Sequence, residues 1–350
     1  MLISALLLTI LSTAVIYSSS PSLAFQQGLF AVVGILFYLG LRAFDYQALR
    51  PFINISYIFI LICLIVVFIL GFETRGSIRW IPLGPFNFQP SEFAKPVLIL
   101  ILARFWAERA PSWWNIVLSL IILLPIVGLV FKQPDLGTTL TIIFIWIIML
   151  IAANASLLKL GVLGLLGLLC APVSWFLLHD YQKQRFMSFL SPLQDPTGIG
   201  YNVIQSMIAV GSGQFLGRGL GRGTQSRLQF LPEFRTDFIF ASIAEELGLI
   251  GSLIVLGLYS FMLSLMFKAL FKADNRFGEL IIIGVMGMIF FQVLINIGMN
   301  IGIMPITGIT LPLLSYGGSS LITTYICLGL VASVQKFISG RVEAEDGRVS

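Results

Sequence analysis

Charged side chains are scarce in this sequence. Asp, Glu, Lys and Arg make up 11% of its 350 residues, whereas 57% are hydrophobic and the mean hydropathy is +0.97. Soluble domains carry about 25% charged residues. A chain of this size cannot hide so much apolar surface in one aqueous core, so lipid must solvate much of it. The composition therefore excludes an ordinary soluble enzyme and predicts a membrane protein.

Histidine and cysteine are also rare. The chain has one histidine, His179, and three cysteines, Cys63, Cys170 and Cys327, each inside an apolar run. Such cysteines are typical packing residues, and their spacing matches neither a metal site nor a disulfide framework. The net charge of +5 and the pI near 9.2 are explained by orientation signals and anionic lipid. No nucleic-acid partner is predicted.

Long stretches without charge mark the membrane spans. A spanning helix needs about 20 apolar residues, and the sequence contains seven charge-free stretches, of which the first and the last each hold two spans. One further span carries Lys95 and Arg104. The predicted fold is an all-α polytopic membrane protein with about ten transmembrane helices, near 2–18, 23–41, 52–71, 92–108, 113–131, 137–153, 157–178, 238–267, 278–302 and 317–337.

The distribution of basic residues predicts the orientation. With the N-terminus inside, the short outer loops hold Arg75, Arg79 and Lys132, and most other basic residues lie in inner loops or the tail. Long loops escape this rule, so the basic loop near 179–236 can lie outside. We expect cytoplasmic termini, one membrane domain over residues 1–338 with an extracytoplasmic loop at about 179–236, and a short cytoplasmic tail over 339–350.

Four polar segments interrupt the apolar sequence: residues 73–95, 132–139, the long loop with the helix start up to Glu246, and 314–320. In the predicted topology all four lie on the outer side. Distant parts of the chain are therefore expected to build one site at the outer membrane face.

Glu92 and Lys95 lie three residues apart at a predicted helix start, so they share a face and can pair. Ionisable groups cost about 2.5–3.5 kcal/mol each at mid-membrane on insertion scales. Such a pair either takes part in a functional site or stabilises the end of a helix, and the sequence pattern leaves both roles open. Asp135 precedes the sixth predicted helix, where capping is the simpler interpretation.

Asp237 opens a long apolar helix, and Glu245 lies eight positions further on, so the two face roughly the same way. Thr236 or Asp237 could simply cap the helix. However, acids next to an arginine-rich loop at a membrane entry favour a site for an anionic substrate and a divalent cation such as Mg²⁺ or Mn²⁺.

A glycine-rich stretch, residues 211–223, resembles a phosphate-binding loop, but no strand precedes it, so a dinucleotide-binding fingerprint is excluded. Arg218, Arg222 and Arg227 could bind phosphate by charge; a flexible surface loop is the alternative. Residues 202–210 have the amphipathic spacing of a short helix lying in the membrane interface.

Together these segments resemble the SEDS family, which is named for shape, elongation, division and sporulation. The short tails and the first outer loop favour its elongation-type, RodA-like branch. The matching strings are GSIRW (76–80), QPSEFAK (89–95), QPDLGTTL (133–140), DPTGIGYNVIQSMIAVGSGQFLGRGLGRGTQ (195–225), LPEFRTDFIFASIAEELG (231–248) and MPITGITLPLLSYGGSS (304–320).

The resemblance implies a peptidoglycan glycosyltransferase that polymerises lipid II, an undecaprenyl-pyrophosphate disaccharide-pentapeptide, at the outer face of the bacterial cytoplasmic membrane. The family's catalytic aspartate matches Asp237, and its functionally important residues match Glu92, Lys95 and Asp135. Arg235 stands where the family often has histidine. The implied partners are a class B penicillin-binding protein, which is a transpeptidase, and other membrane proteins of the elongation or division complex.

An α-linked pyrophosphate donor and a β-linked product indicate one displacement with inversion. That reaction needs one base, for which Asp237 is the candidate, or Asp237 holds a metal that organises the acceptor. The candidate substrate-binding residues are Glu92, Lys95, Arg79, Asp135, Arg218, Arg222, Glu245 and Ser319. A lipid II flippase and a non-enzymatic scaffold of the wall-synthesis complex are the alternative functions.

Overall fold

The computed structural model describes residues 1–74, 77–83, 86–178, 180–191, 199–228 and 230–346. Predictions on His179, on residues 195–198 and on the end of the tail, 347–350, lie outside the described residues, as does the side chain of Arg227.

The structure is mostly helical, and each of the ten predicted helical segments forms a helix. In the described part of the long loop lie three further helices, and the one at Ile199–Ser212 covers the predicted amphipathic segment. The helices are α1 Leu2–Ser19, α2 Pro21–Ala43, a 3₁₀ helix Tyr46–Phe52, α3 Ile53–Leu70, α4 Pro90–Glu108, α5 Trp113–Lys132, α6 Leu136–Ala152, α7 Leu157–Leu177, α8 Asp180–Leu190, α9 Ile199–Ser212, α10 Thr224–Arg227, α11 Ile239–Leu270, α12 Arg276–Asn300 and α13 Gly318–Asp346.

Seven helical segments of the described chain are long and apolar enough to cross a membrane: Leu2–Ser19, Pro21–Ala43, Tyr46–Leu70, Trp113–Lys132, Ile239–Leu270, Arg276–Asn300 and Gly318–Phe337. Large apolar side chains cover the outside of the bundle; Ile3, Phe25 and Ile69 are 70–75% exposed. An exterior of this kind is stable in lipid and not in water. The chain is therefore a multi-pass membrane protein.

The centre of the bundle is built around α12, which packs against α4, α6, α11 and α13. Small residues permit the close approach. A Cβ atom added to Gly284 would lie 2.8 Å from Ile99 of α4, and one added to Gly287 would lie 2.7 Å from Ile148 of α6. Glycine at helix crossings lets membrane helices pack by direct contact. This packing fixes the positions of the ends of α4, α6 and α12 relative to one another. The polar segments lie at those ends.

A small sheet corrects the all-α prediction. β1 (Phe72–Thr74), β2 (Ser77–Leu83) and β3 (Phe86–Phe88) form an antiparallel sheet in that order, and β3 leads into α4 through Gln89. The segment is rich in aromatic and β-branched residues, and Gly76 and Gly84-Pro85 separate its strands. Those are recognised strand and turn signals, so the sequence did contain the information.

Helix α11 is interrupted at Gly248, whose φ of 67° and ψ of −161° are not helical. The sequence predicts an unbroken helix here. The glycine-rich stretch supplies the missing partners: Arg218 N donates to Glu245 O (3.0 Å), and Leu249 N donates to Gln214 O (2.8 Å). Irregular backbone is tolerated at membrane depth only where other protein groups satisfy it. The break and the glycine-rich stretch therefore form one structural unit.

Replacing Gly248 with alanine is expected to destabilise the protein by about 1–3 kcal/mol, the usual cost of a backbone conformation that side chains rarely adopt. The added Cβ would also lie 2.3 Å from Gly217 N. Thermal unfolding in detergent measures the change. Gly257 of the same helix is the matched control, since its Cβ would meet nothing within 4 Å. Equal melting temperatures for Gly248→Ala and Gly257→Ala would contradict this account.

Candidate functional site at one end of the bundle

The connection between α12 and α13, residues 301–317, is the place where the polar segments meet. Asn296 Nδ2 donates to Ile309 O (2.8 Å), and Ser315 Oγ donates to Thr236 O (2.6 Å). A Cβ atom added to Gly137, two residues after Asp135, would lie 2.8 Å from Thr307 O. We call this end of the bundle the site end. The contact between Gly137 and Thr307 joins segments that are 170 positions apart in sequence.

Asp237 lies in the turn that precedes α11. The helix begins at Ile239 with Phe238 at the cap position, so neither Thr236 nor Asp237 caps it. Instead, the backbone carbonyl of Asp237 accepts hydrogen bonds from Asn296 Nδ2 (3.0 Å) and Asn300 Nδ2 (3.1 Å). Two buried amides of α12 thus hold the residue against the 301–317 connection.

The Asp237 carboxylate lies beside Gly308 together with a guanidinium. A Cβ atom added to Gly308 would lie 3.7 Å from Asp237 Oδ2 and 3.2 Å from Arg185 Nη1. Arg185 belongs to α8, which the sequence analysis did not distinguish from the rest of the long loop. An arginine can bind phosphate oxygens through several donors. The structure therefore adds Arg185 to the candidate residues.

Asn296 and Asn300 are likewise residues that the sequence analysis missed. Both side chains are fully buried. Asn300 Oδ1 also accepts from Ala241 N (3.0 Å), in the first turn of α11. Polar residues four apart within an apolar helix were a usable signal, because buried amides need partners.

Asp135 caps α6, as the simpler interpretation predicted, since its Oδ1 accepts from Thr138 N (3.1 Å). It also anchors neighbouring elements. Its carboxylate oxygens lie 3.6 Å from Arg79 Nη1 of β2, 3.3 Å from Gln89 Nε2 and 3.4 Å from Ser91 Oγ. Arg79 also donates to the backbone of the turn before α6. The structure thus brings Arg79 and Asp135 together in contacts that join the sheet, α4 and α6.

Glu92 and Lys95 form the predicted pair, with Lys95 Nζ 2.8 Å from Glu92 Oε2, and both side chains are buried. One turn earlier, Gln89 N donates to Ser319 Oγ (3.1 Å), and Ser319 donates to Asn87 O (3.3 Å). Ser319 therefore fastens the start of α13 to the residues before α4. These contacts tie the segment before α4 to the start of α13, which directly follows the 301–317 connection.

Glu245 contacts the glycine-rich stretch. It is fully buried, and its Oε1 accepts from Gln225 N (2.8 Å) and Thr224 Oγ1 (3.2 Å). Arg218 Nη1 donates to the same Thr224 hydroxyl (2.9 Å). Backbone hydrogen bonds tie residues 214–219 of this stretch to α11, and the Glu245 side chain holds the two residues that follow it. The side chains of Arg218 and Arg222 are exposed. This geometry disfavours the flexible-loop alternative.

A divalent cation would need ligands beyond one side chain. In the part of the chain that the structure describes, no three His, Cys, Asp or Glu side chains come together as a cage. Mg²⁺, however, is often held by one or two carboxylates together with substrate phosphates. Asp237 fits that mode of binding, and it would hold the ion only jointly with a phosphorylated substrate.

Comparisons with known proteins match nearly the whole chain. A family model described as a cell cycle protein, FtsW/RodA/SpoVE, matches residues 1–340. The peptidoglycan glycosyltransferase MrdB of Escherichia coli K12 is 42% identical over 292 residues, which cover 83% of this chain and 78% of MrdB.

Solved structures share the fold. A chain from a structure of a peptidoglycan synthase complex that coordinates polymerization and crosslinking aligns with a TM-score of 0.84 and 32% identity, covering 96% of this chain and 97% of that one. The rod shape determining protein RodA of Thermus thermophilus aligns with a TM-score of 0.72 and 29% identity, covering 96% and 95%.

Proposed function

The chain belongs to the FtsW/RodA/SpoVE family of cell cycle proteins, and from that premise we infer that it is a peptidoglycan glycosyltransferase. It is 42% identical to the peptidoglycan glycosyltransferase MrdB over most of both chains. A solved relative is a rod shape determining protein, so the enzyme serves cell elongation and shape. One observation carries the chemical proposal. The Asp237 carboxylate and the Arg185 guanidinium both lie beside Gly308, at the end of the bundle where the distant polar segments converge.

The proposed substrate is lipid II, and the proposed reaction is one in-line displacement. The 4-hydroxyl oxygen of the acceptor sugar attacks the anomeric carbon of the donor, and the bond from that carbon to the pyrophosphate oxygen breaks. The pyrophosphate leaves with the electron pair, and the hydroxyl proton passes to a base. Pyrophosphate is already a good leaving group, so this reaction needs no second carboxyl as proton donor, unlike most glycoside hydrolysis.

Asp237 is the proposed base. Its backbone is held by Asn296 and Asn300, which limits the positions open to its carboxylate, and a positioned base typically contributes about 10²–10⁴-fold in rate. Arg185 lies close enough to stabilise the negative charge that develops on the departing pyrophosphate. We assign Arg79, Asp135 and Ser319 to the support of the site, because their described contacts join its elements.

The roles of the other charged residues are proposed from their placement. Arg218 and Arg222 are exposed on a loop with a restrained backbone, which suits them to phosphate binding. Glu245 holds that loop. A divalent cation, if bound by Asp237 and the pyrophosphate, would supply further charge neutralisation.

The proposed setting is the bacterial cytoplasmic membrane, with ten spans, both termini in the cytoplasm and the site end facing outward. The basic residues of the short connections support this orientation. We also propose a class B penicillin-binding protein as partner, together with other elongation or division proteins. In support, a related solved chain is part of a complex that coordinates polymerization and crosslinking.

Strand synthesis by the purified protein from lipid II tests the function, with and without Mg²⁺ and with and without the transpeptidase partner. We expect glycan strands longer than a disaccharide, resolved by gel electrophoresis. A parallel assay with fluorescent lipid II in vesicles measures transfer between leaflets. Transfer without strands would favour the flippase. Neither activity in the folded complex would favour the scaffold.

A further inference from the structure

A groove runs between α1 and α2 on the outside of the bundle. Its volume is about 610 Å³, within the range of roughly 300–1,000 Å³ that is usual for ligand sites. It reaches from Leu6 to Ser18 along α1, a length of about 18 Å at 1.5 Å per residue. The dimensions suit one long chain.

The wall of the groove is mostly apolar. Tyr17 and Ser18 lie at its end, and two threonines lie within it. Thr9 Oγ1 donates to Ala5 O (2.9 Å) and also contacts the Tyr325 hydroxyl, and Thr13 Oγ1 donates to Thr9 O (2.8 Å). Their hydroxyls are thus engaged within the protein. The groove therefore presents methyl and methylene groups to an occupant, which favours hydrocarbon.

The glycine-rich stretch closes one end of the groove. Leu220 lines the groove, and the exposed arginines Arg218 and Arg222 flank it in sequence. Gly219 and Gly221 have positive φ values of 96° and 72°. The left-handed backbone at these two glycines sets the path of the loop, and Arg218 N donates a hydrogen bond to Glu245 O. The two arginines therefore belong to the loop that closes the groove, and Arg218 Nη1 donates there to Thr224 Oγ1 (2.9 Å).

The same end of the groove lies next to the proposed catalytic segment. Ser18 lines the groove, and the next residue, Ser19, accepts from Arg235 Nε at 2.9 Å. Arg235 precedes Asp237 by two residues. An anion is also present there, since Ser18 Oγ donates to Glu246 Oε1 (3.3 Å). Glu245 is bonded to the same Thr224 hydroxyl as Arg218, so three arginines outnumber two carboxylates and the mouth carries a net positive charge.

We propose that this groove, with its Arg218–Leu220–Arg222 rim, binds a polyprenyl pyrophosphate. The isoprenoid chain lies between α1 and α2, and the pyrophosphate lies on the two guanidiniums. Two arginines match the several charges of a pyrophosphate better than the single charge of a phospholipid phosphate, and the single groove fits one chain better than two. The proposal rests on the proposed function and adds the location of the lipid part of the substrate.

Filling the groove tests the proposal. Gly28 and Gly40 both lie on α2, and a Cβ atom at either would meet nothing within 4 Å; only Gly28 lines the groove. Binding of undecaprenyl pyrophosphate to the full-length protein in detergent is measured by native mass spectrometry. Gly28→Leu is expected to weaken binding by roughly tenfold, the equivalent of about two lost buried methylene contacts. Gly40→Leu should leave it unchanged.

The head group is tested separately. Arg218→Gln/Arg222→Gln should remove most of the preference for undecaprenyl pyrophosphate over undecaprenol, and phosphatidylglycerol should compete poorly. Equal affinity of Gly28→Leu and Gly40→Leu, or full competition by phosphatidylglycerol, would overturn the proposal. If Gly28→Leu does not fold, Ala14→Phe fills the groove from α1.

These outcomes are separable from failure of the proposed function. Binding is measured without turnover, and strand synthesis is measured on the unaltered protein and on Gly40→Leu. Absent strand synthesis in those two proteins contradicts the glycosyltransferase. Unchanged lipid binding by the groove-filled variant contradicts the groove alone.

Discussion

Asp237→Asn is expected to reduce strand synthesis from lipid II by about 10²–10⁴-fold, because an amide cannot accept the proton of the attacking hydroxyl. The replacement has nearly the same shape. The backbone bonds from Asn296 and Asn300 do not involve the carboxylate, so the fold should persist. Initial rates of strand formation by the purified protein measure the effect, and thermal unfolding confirms that the variant is folded.

Asp180→Asn provides a matched control at the start of the long segment that leads to Asp237. Asp180 lies at the start of α8, its side chain is 96% exposed, and it is 3.8 Å from Lys183. This variant should retain full activity. A folded Asp237→Asn protein that makes strands at a near-normal rate would exclude residue 237 as the base.

Glu92→Gln is expected to lower the free energy of unfolding by about 3–5 kcal/mol, since it leaves the Lys95 ammonium buried without its partner. The pair has a separation of 2.8 Å and both side chains are almost fully buried. Glu279→Gln is the matched control. Glu279 is also in the first turn of its helix, three residues from its partner Arg276 at 2.7 Å, but that pair is about one-third exposed. Exposed pairs contribute at most about 1 kcal/mol, so Glu279→Gln should have a small effect.

The double variant Glu92→Gln/Lys95→Met decides between the two roles that the sequence left open. Removing both charges eliminates the uncompensated ion, so stability should largely recover. If strand synthesis recovers as well, the pair only secures the helix end. If the protein is stable and inactive, the charges act on the substrate. Equal losses of stability in Glu92→Gln and Glu279→Gln would contradict the burial argument.

Several features of the fold were predictable because each depends on a local pattern. Charge-free stretches located nine helices, and the tenth was predicted despite Lys95 and Arg104. The predicted ends were right to within a few residues nearly everywhere, although α13 continues to Asp346, past the predicted end at 337. The spacing of Glu92 and Lys95 predicted their pairing, and the position of Asp135 predicted its capping. The three short strands were missed although their residues carried strand signals, because the surrounding sequence was read for spans alone.

Other features were not predictable from local pattern. The interruption at Gly248 depends on backbone groups of residues 214–219 reaching α11 from a distant part of the chain, and no periodicity in α11 records it. The placement of Arg185 and Asp237 beside Gly308 depends on how α8 and the turn before α11 come together at the 301–317 connection.

The sequence by itself determined that the chain is embedded in lipid, where its helices lie and which charged residues those helices contain. These features follow from hydropathy and residue spacing, which are properties of local sequence. The tertiary structure decided which of those charges face one another. Asp135 and Glu245 form hydrogen bonds that hold neighbouring elements, whereas the Asp237 carboxylate and the Arg185 guanidinium both lie beside Gly308. The physical reason is that a buried charge acquires its role from the groups packed around it, and those groups come from remote segments.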